Sequence, residues 1–478
     1  MKKFFILGLV GLLLTFGTVV YAQEKAPKLD FKASGFIDMV TEWYRNATAA
    51  TLSTLNPNSN YDRSNAYLET RARLKFDAVM GKNLSGTIFF EMDSSRWGDA
   101  AGGRNQLGLW NADQVAVEIK NVYVDFGVPV IPVPVSVRFG LQPLSIRNNL
   151  LVYTDGMGIK GSIKVDPANI ELIYFKALEG RDGTADDVDV YGLHANAKVG
   201  PVTAGGYVLY YNMNTYPVAF VTSTYGISPS FDASVWWAGL YADGKLGPVN
   251  LNFDFIYDHG KVSKRGAYAP APDVDYRGWV TRAKVDYPWE KFNFGVVGMY
   301  ATGADWNKVA AGTDVDSYVV PPGSESGAIF GESLVFYSSW VNRGNTGIAN
   351  TISGSALTRG PVGGTWLGKL YTSFKATPWY KVTLQGMYIG DTSKHGNTLY
   401  GTGALAPLKA DGSRSHNSTI GWEFDLINEI EIYKNLKYAI GGGFLTRGKA
   451  LYHYDATTAS NEKPKTPWII TSALTYNF

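Results

Sequence analysis

The clearest pattern in the chain runs from Ala66 to Met80. Leu68, Ala72, Leu74, Phe76 and Ala78 fall on one side of an extended strand, and Glu69, Arg71, Arg73, Lys75 and Asp77 fall on the other. Successive strand side chains point to opposite faces, so the segment has one apolar and one charged surface. A soluble sheet would set the first on a core and the second in water. A membrane barrel sets the first against lipid and lines its lumen with the second. The last residues repeat the theme, with Trp468, Ile470, Ser472, Leu474, Tyr476 and Phe478 on one side and Ile469, Thr471, Ala473, Thr475 and Asn477 on the other.

Between these strands the connections follow a rhythm. Short turns at 81–83, 166–169, 200–201, 247–248, 288–291, 378–381 and 434–435 alternate with long polar or glycine-rich stretches at 97–113, 143–158, 179–187, 214–233, 260–275, 302–364, 394–417 and 447–466. The link 127–134 is short and carries Pro129, Pro132 and Pro134, which cannot donate to a ladder and so sit between strands. Transmembrane barrels sort their connections in this way, into short periplasmic turns and long outer loops. The expected fold is all-β, a transmembrane antiparallel β-barrel of about 18 strands, with about 16 as the alternative count. The run 114–126 changes phase near Lys120 and Asn121, which predicts a bulge, and 170–177 alternates poorly.

Met1-Lys2-Lys3, an apolar run from Phe4 to Val20 and a small residue at Ala22 read as a signal peptide over residues 1–22. Residues 23–29 are then a periplasmic segment and 30–478 the barrel. Beyond residue 22 no apolar run reaches the length of a membrane helix. Lys2 and Lys3 leave with the leader, so the 44 basic residues fall to match the 42 acidic ones, and a nucleic-acid partner driven by bulk charge is not expected. The absence of cysteine removes disulfides and thiolate metal sites.

A large barrel leaves an aqueous channel unless it is plugged. The residues assigned to the lumen are Arg71, Arg73, Lys75, Arg138, Lys160, Lys164, Lys198, Arg282, Glu423, Asp425, Glu429 and Glu431. Facing lipid at mid-depth, each Lys or Arg would cost roughly 2–4 kcal/mol, whereas in a wet lumen it stays solvated. Cations on early strands opposite an acidic late strand would impose a transverse field, with the Arg71, Arg73 and Lys75 row at the constriction. Segment 302–364 is too long for an ordinary connection and holds an apolar stretch, Ile329-Phe330 then 334–337, so part of it is expected to fold into the lumen or over its mouth. The five histidines show no metal-ligand spacing, and there is neither a nucleophile elbow nor a phosphate loop. No enzyme activity, metal or cofactor is expected.

The terminal Phe478, with Tyr476 and Leu474 at two-residue steps, resembles the carboxy-terminal signal of bacterial outer-membrane barrels. The resemblance implies recognition by the barrel assembly machinery and closure against the first strand. Thr70-Arg71-Ala72-Arg73, Asn83-Leu84-Ser85-Gly86, Phe89-Phe90-Glu91 with Arg96-Trp97-Gly98, 120–125 and 139–143 resemble the homotrimeric major porins of sulfate- and metal-reducing bacteria. That likeness implies a trimer in the cell outer membrane, among lipid and lipopolysaccharide, passing ions and small hydrophilic solutes by passive diffusion. The alternatives are a substrate-selective channel, for oligosaccharide or an organic anion with an aromatic slide at Trp237 and Tyr241, and a structural barrel around a partner.

Overall fold

The computed structural model describes residues 28–48, 64–99, 107–108, 110, 115–129, 133–180, 183–214, 216–219, 226–228, 231–264, 273–325, 330–337, 347–349, 362–400, 406–456 and 458–478. The expected leader lies outside them. The wall is built from β1 (Leu29–Arg45), β2 (Ser64–Met80), β3 (Leu84–Arg96), β4 (Glu118–Gly127), β5 (Val135–Ile146), β6 (Val152–Val165), β7 (Ala168–Leu178), β8 (Val188–Val199) and β9 (Val202–Met213). It continues through β10 (Phe231–Leu246), β11 (Val249–Lys264), β12 (Val274–Trp289), β13 (Phe292–Ala301), β14 (Thr365–Thr377), β15 (Tyr380–Asp391), β16 (Thr419–Tyr433), β17 (Leu436–Leu445) and β18 (Trp468–Asn477).

Each of these strands pairs antiparallel with its neighbours, and β18 returns to β1, from Phe36 opposite Asn477 to Arg45 opposite Trp468. The sheet is therefore a closed 18-strand barrel. Phe478 completes the seam: its carbonyl accepts from Gly35 N at 2.9 Å and its own N donates to Gly35 O at 3.0 Å. Closure matters because lipid offers no partner to an open strand edge.

The alternation reads as anticipated on β2, with Leu68 and Phe76 exposed outside and Arg71, Arg73 and Lys75 turned inward. Leu172, Leu240, Leu370 and Leu384 continue the apolar exterior round the wall. Aromatic rings collect at its two margins. Trp289, Phe292, Trp379 and Phe478 lie near the short turns, and Trp43, Trp236, Tyr300 and Trp422 near the long loops. Such girdles mark the two interfaces of a membrane-crossing barrel. Among the described residues no helix is long and apolar enough to cross a membrane.

The predicted bulge is present. The β3–β4 register steps from Phe89 opposite Asn121 to Phe90 opposite Ile119, leaving Lys120 without a ladder partner. One expectation fails: 143–158 is not a long loop. β5 continues to Ile146 and β6 begins at Val152, so only 147–151 connect them, and the strict long–short order breaks there.

The seam has no spare room. A Cβ on Gly35 would stand 2.2 Å from Arg73 O and 2.9 Å from the Phe478 ring. Overpacking of this kind costs about 1–3 kcal/mol. Gly35→Ala should lower the urea midpoint of the detergent-folded barrel, followed by the heat-dependent shift of its gel band, while Gly86→Ala, with open space around it, should not.

Candidate functional site

Two segments enter the lumen. The first is the tip of the β5–β6 hairpin. Arg147 adopts a left-handed conformation (φ 43°) that turns the chain inward, and Leu150, Leu151 and Val152 are fully buried. They belong to a core with the inner faces of β7 to β10, which present Ile173, Phe175, Val190, Leu209, Tyr211 and Trp237. Arg147 then reaches strands that are not its neighbours in the sheet. Its guanidinium pairs with Asp243 on β10 at 2.6 Å and with Asp254 on β11, and lies 4.6 Å from the Tyr241 ring. The tip therefore braces across the lumen.

The second is the long loop after β13. It starts with α1 (Trp306–Ala311), whose first turn is capped by the Asp305 side chain accepting from Asn307 N at 3.1 Å. Ion pairs of Lys308 and Arg277 with Asp316, each 2.9 Å, fasten this part to the rim. The chain then descends. Trp237 Nε1 donates to Val319 O (2.8 Å), and Val319 N donates to Asp258 Oδ1 (3.1 Å). Tyr318 Oη donates to Leu150 O (2.8 Å), Ser324 Oγ to Leu151 O (2.9 Å), and Glu325 N to Tyr153 O (2.8 Å). The two inserted segments thus meet inside the barrel.

Farther along, residues 330–337 are held against the opposite wall by charge. Glu332 sits between Arg282 on β12 and Lys369 on β14, the latter at 2.5 Å. Burial alone would raise its carboxyl, but Lys369 and Arg282 hold it down to about 2. Glu423 Oε1 accepts from Ser333 Oγ (2.8 Å), Leu334 N and Val335 N (both 2.9 Å), and its Oε2 accepts from Phe336 N (3.0 Å). Asp425 Oδ2 accepts from Gln385 Nε2 (2.7 Å). A Cβ on Gly443 would lie 1.9 Å from Asp425 Oδ1, so only glycine leaves space for that carboxylate.

The assigned lumen residues fall into three groups. Arg282, Glu423 and Asp425 point inward but are almost wholly covered by the loop, so they anchor it and do not meet lumen water. Their expected place on an open acidic wall is corrected accordingly. Lys164, Lys198 and Glu431 lie exposed near the short turns, and Glu429, also near them, pairs with Lys381. Arg71, Arg73, Lys75, Arg138 and Lys160 line the wall from β2 to β6. The aromatic slide is corrected too: Trp237 is covered by Val319, and Tyr241 is buried beside Arg147.

Along the β2–β6 wall the cations come with carboxylates. Arg71 pairs with Asp93 (2.6 Å), Arg73 with Glu91 (2.5 Å) and Lys75 with Asp77 (3.0 Å). Lys120, turned inward by its bulge, pairs with Asp155 (2.7 Å) and Glu91 (3.2 Å). Glu325, carried in by the long loop, lies within the field of Lys120, Asp155, Arg71 and Glu91. Glu91, Asp93, Lys120 and Asp155 were not among the assigned residues. Register carried the signal for Glu91, which lies directly opposite Arg73.

No family model and no curated protein matches the chain. Solved structures do match in fold. Pseudomonas aeruginosa OccK2 (OpdF) superposes with a TM-score of 0.51, and P. aeruginosa OccK8 (OprE) and a BenF-like porin from Pseudomonas fluorescens Pf-5 with 0.50. Each is 10% identical, and each match covers 94% of this chain and 98% of the other. The fold is that of an outer-membrane porin barrel.

Two outcomes follow from the anchors. Glu423→Gln removes the charge on which the 333–336 turn is built, and a larger, noisier single-channel conductance from a still-folded barrel is expected in planar bilayers. Glu332→Gln takes from Arg282 and Lys369 the carboxylate they share, leaving Arg282 with Asn252 and Asp254 and Lys369 with neutral oxygens, and should cost about 3 kcal/mol. A carboxyl lowered on folding stabilises above its unfolded value, near 4.5, and loses that contribution as pH falls through about 2. The gap in urea midpoint between wild type and Glu332→Gln should therefore stay constant down to about pH 4.5 and close toward pH 2.

Proposed function

We propose that the protein is a solute-selective channel of the bacterial outer membrane that passes small charged organic solutes, organic anions foremost. The carrying observation is the meeting of two segments inside the lumen. Hydrogen bonds from Ser324 to Leu151 and from Glu325 to Tyr153 join the long loop to the β5–β6 tip. Together they fill one side of the barrel with a buried core and direct traffic along the β2–β6 wall. A wide passive pore would leave the lumen of so large a barrel open, so the selective alternative fits this interior better than the general one.

Two further observations support an ionic over a neutral solute. The aromatic surfaces that would guide an oligosaccharide, at Trp237 and Tyr241, are buried. The open wall carries Arg71, Lys75 and Arg138, each about a third accessible and each fixed by a carboxylate. Charges held this way do not reorganise as a solute passes, so discrimination by charge and shape costs little motion. The local likeness to homotrimeric major porins supports three parallel pores as part of the same reading.

Single-channel recording under a salt gradient tests it. Small ohmic steps, grouped in threes, with a reversal potential on the anion side are expected. Arg71→Ala combined with Arg73→Ala should move that potential toward cations. Large, non-selective steps would return the protein to the general porins, and silence from a folded barrel would favour a structural role around a partner.

A further inference from the structure

A second feature of the lumen departs from ordinary strand pairing. Arg138 on β5 and Lys160 on β6 are direct cross-strand partners, and both face inward. Like charges directly opposite each other are destabilising, whereas a cation opposite a carboxylate is favourable. Here the nearby carboxylates are committed elsewhere. Asp125 takes Arg138 in a two-pronged pair, Oδ1 from Nε at 2.8 Å and Oδ2 from Nη2 at 2.9 Å. Glu171 Oε2 lies 2.9 Å from His194 Nδ1, and its Oε1 lies 3.4 Å from Ser162 Oγ. Lys160 is half-buried in the wall and has no hydrogen bond or ion pair of its own among the described residues.

We propose that Lys160, with the free edge of the Arg138 guanidinium, forms a binding subsite for the carboxylate of a small monoanionic solute. The subsite rests on the channel reading and gives it a stopping point on the periplasmic side of the constriction. Lys160 stands five residues along β6 from Asp155, roughly 16 Å of extended strand. Three features define its chemistry. The ammonium offers three donors with no hydrogen-bond partner among the described residues, its counter-charges Glu171 and Asp125 acting only through space. The Arg138 guanidinium is held rigidly, by Asp125 and by the Tyr123 ring 4.0 Å away, so it meets an anion without loss of side-chain freedom. Asp125 and Glu171 flank the pair and repel a second negative charge, which selects a monocarboxylate over sulfate or doubly ionised phosphate. A local pairing rule broken by two residues at once is the pattern expected where a sequence gives up some stability for binding.

The test reads binding apart from conduction. Lysines of the detergent-folded barrel are isotopically dimethylated, which keeps their charge, and the Lys160 resonance is assigned by its loss in Lys160→Met. Sodium acetate should shift that resonance saturably in the millimolar range, and sodium sulfate should need at least tenfold more. In bilayers, acetate should slow chloride current through wild type, and Lys160→Met should weaken that effect at least tenfold while Lys160→Arg retains it. Because Lys160 makes no ion pair within the described wall, Lys160→Met should fold as wild type does. Equal response of all lysines to acetate, stronger binding of sulfate, or undiminished acetate block in Lys160→Met would overturn the subsite. A barrel that binds acetate at Lys160 yet carries no current would remove the channel reading and leave the subsite standing.

Discussion

Every peptide group at membrane depth must find its partner within the protein, because the hydrocarbon core supplies none. That constraint decides most of the architecture. It forbids an open edge, so β18 must return to β1 and Phe478 must pair with Gly35. It sets the apolar side chains outside and collects the polar ones inside. It also creates a difficulty: a cylinder of this girth encloses a wide column of water. The inserted segments answer it by filling part of that column with protein.

Both segments combine apolar and ionic contacts. The β5–β6 tip places Leu150 and Leu151 in one buried core with Ile173, Phe175 and Leu209, and Arg147 pins its end to Asp243 and Asp254. The long loop around 330–337 adds to its own buried apolar residues, Phe330 and 334–337, a set of ionised anchors, with Glu332 clasped by two cations and Glu423 collecting backbone N–H groups. Buried ionic contacts are only marginally favourable in total, but the loss of one partner is severe because the other is left without water. They therefore specify position more than they add stability, which suits a segment folded into the lumen.

Much of the wall was legible because lipid enforces a two-residue period and tight turns punctuate it. Even the Lys120 bulge announced itself, as a break in phase. The β5–β6 connection misled for a physical reason. Pro143, Gly156 and Gly158 are turn formers in most settings, yet Pro143 lies within β5, and the two glycines make room for the Phe175 ring crossing from β7. The poor alternation of 170–177 was itself the missing sign. Ile173 and Phe175 face inward and are buried in the same core as the hairpin tip, so apolar residues there interrupt the polar inner face that Glu171 begins. Sequence alone could not show that Glu423 and Asp425 would be roofed over, since most of the donors that meet them come from 333–336, about ninety residues earlier in the chain and mainly backbone groups.

The core formed by the hairpin tip has one more consequence. The lipid-facing belt stays among hydrocarbon whether or not the lumen is filled, but the tip is buried out of water. Its hold thus obeys the thermodynamics of an ordinary aqueous hydrophobic core, strengthening with mild warmth and fading on cooling. One barrel thus joins a lipid-facing belt to an interior core whose hydrophobic hold weakens on cooling.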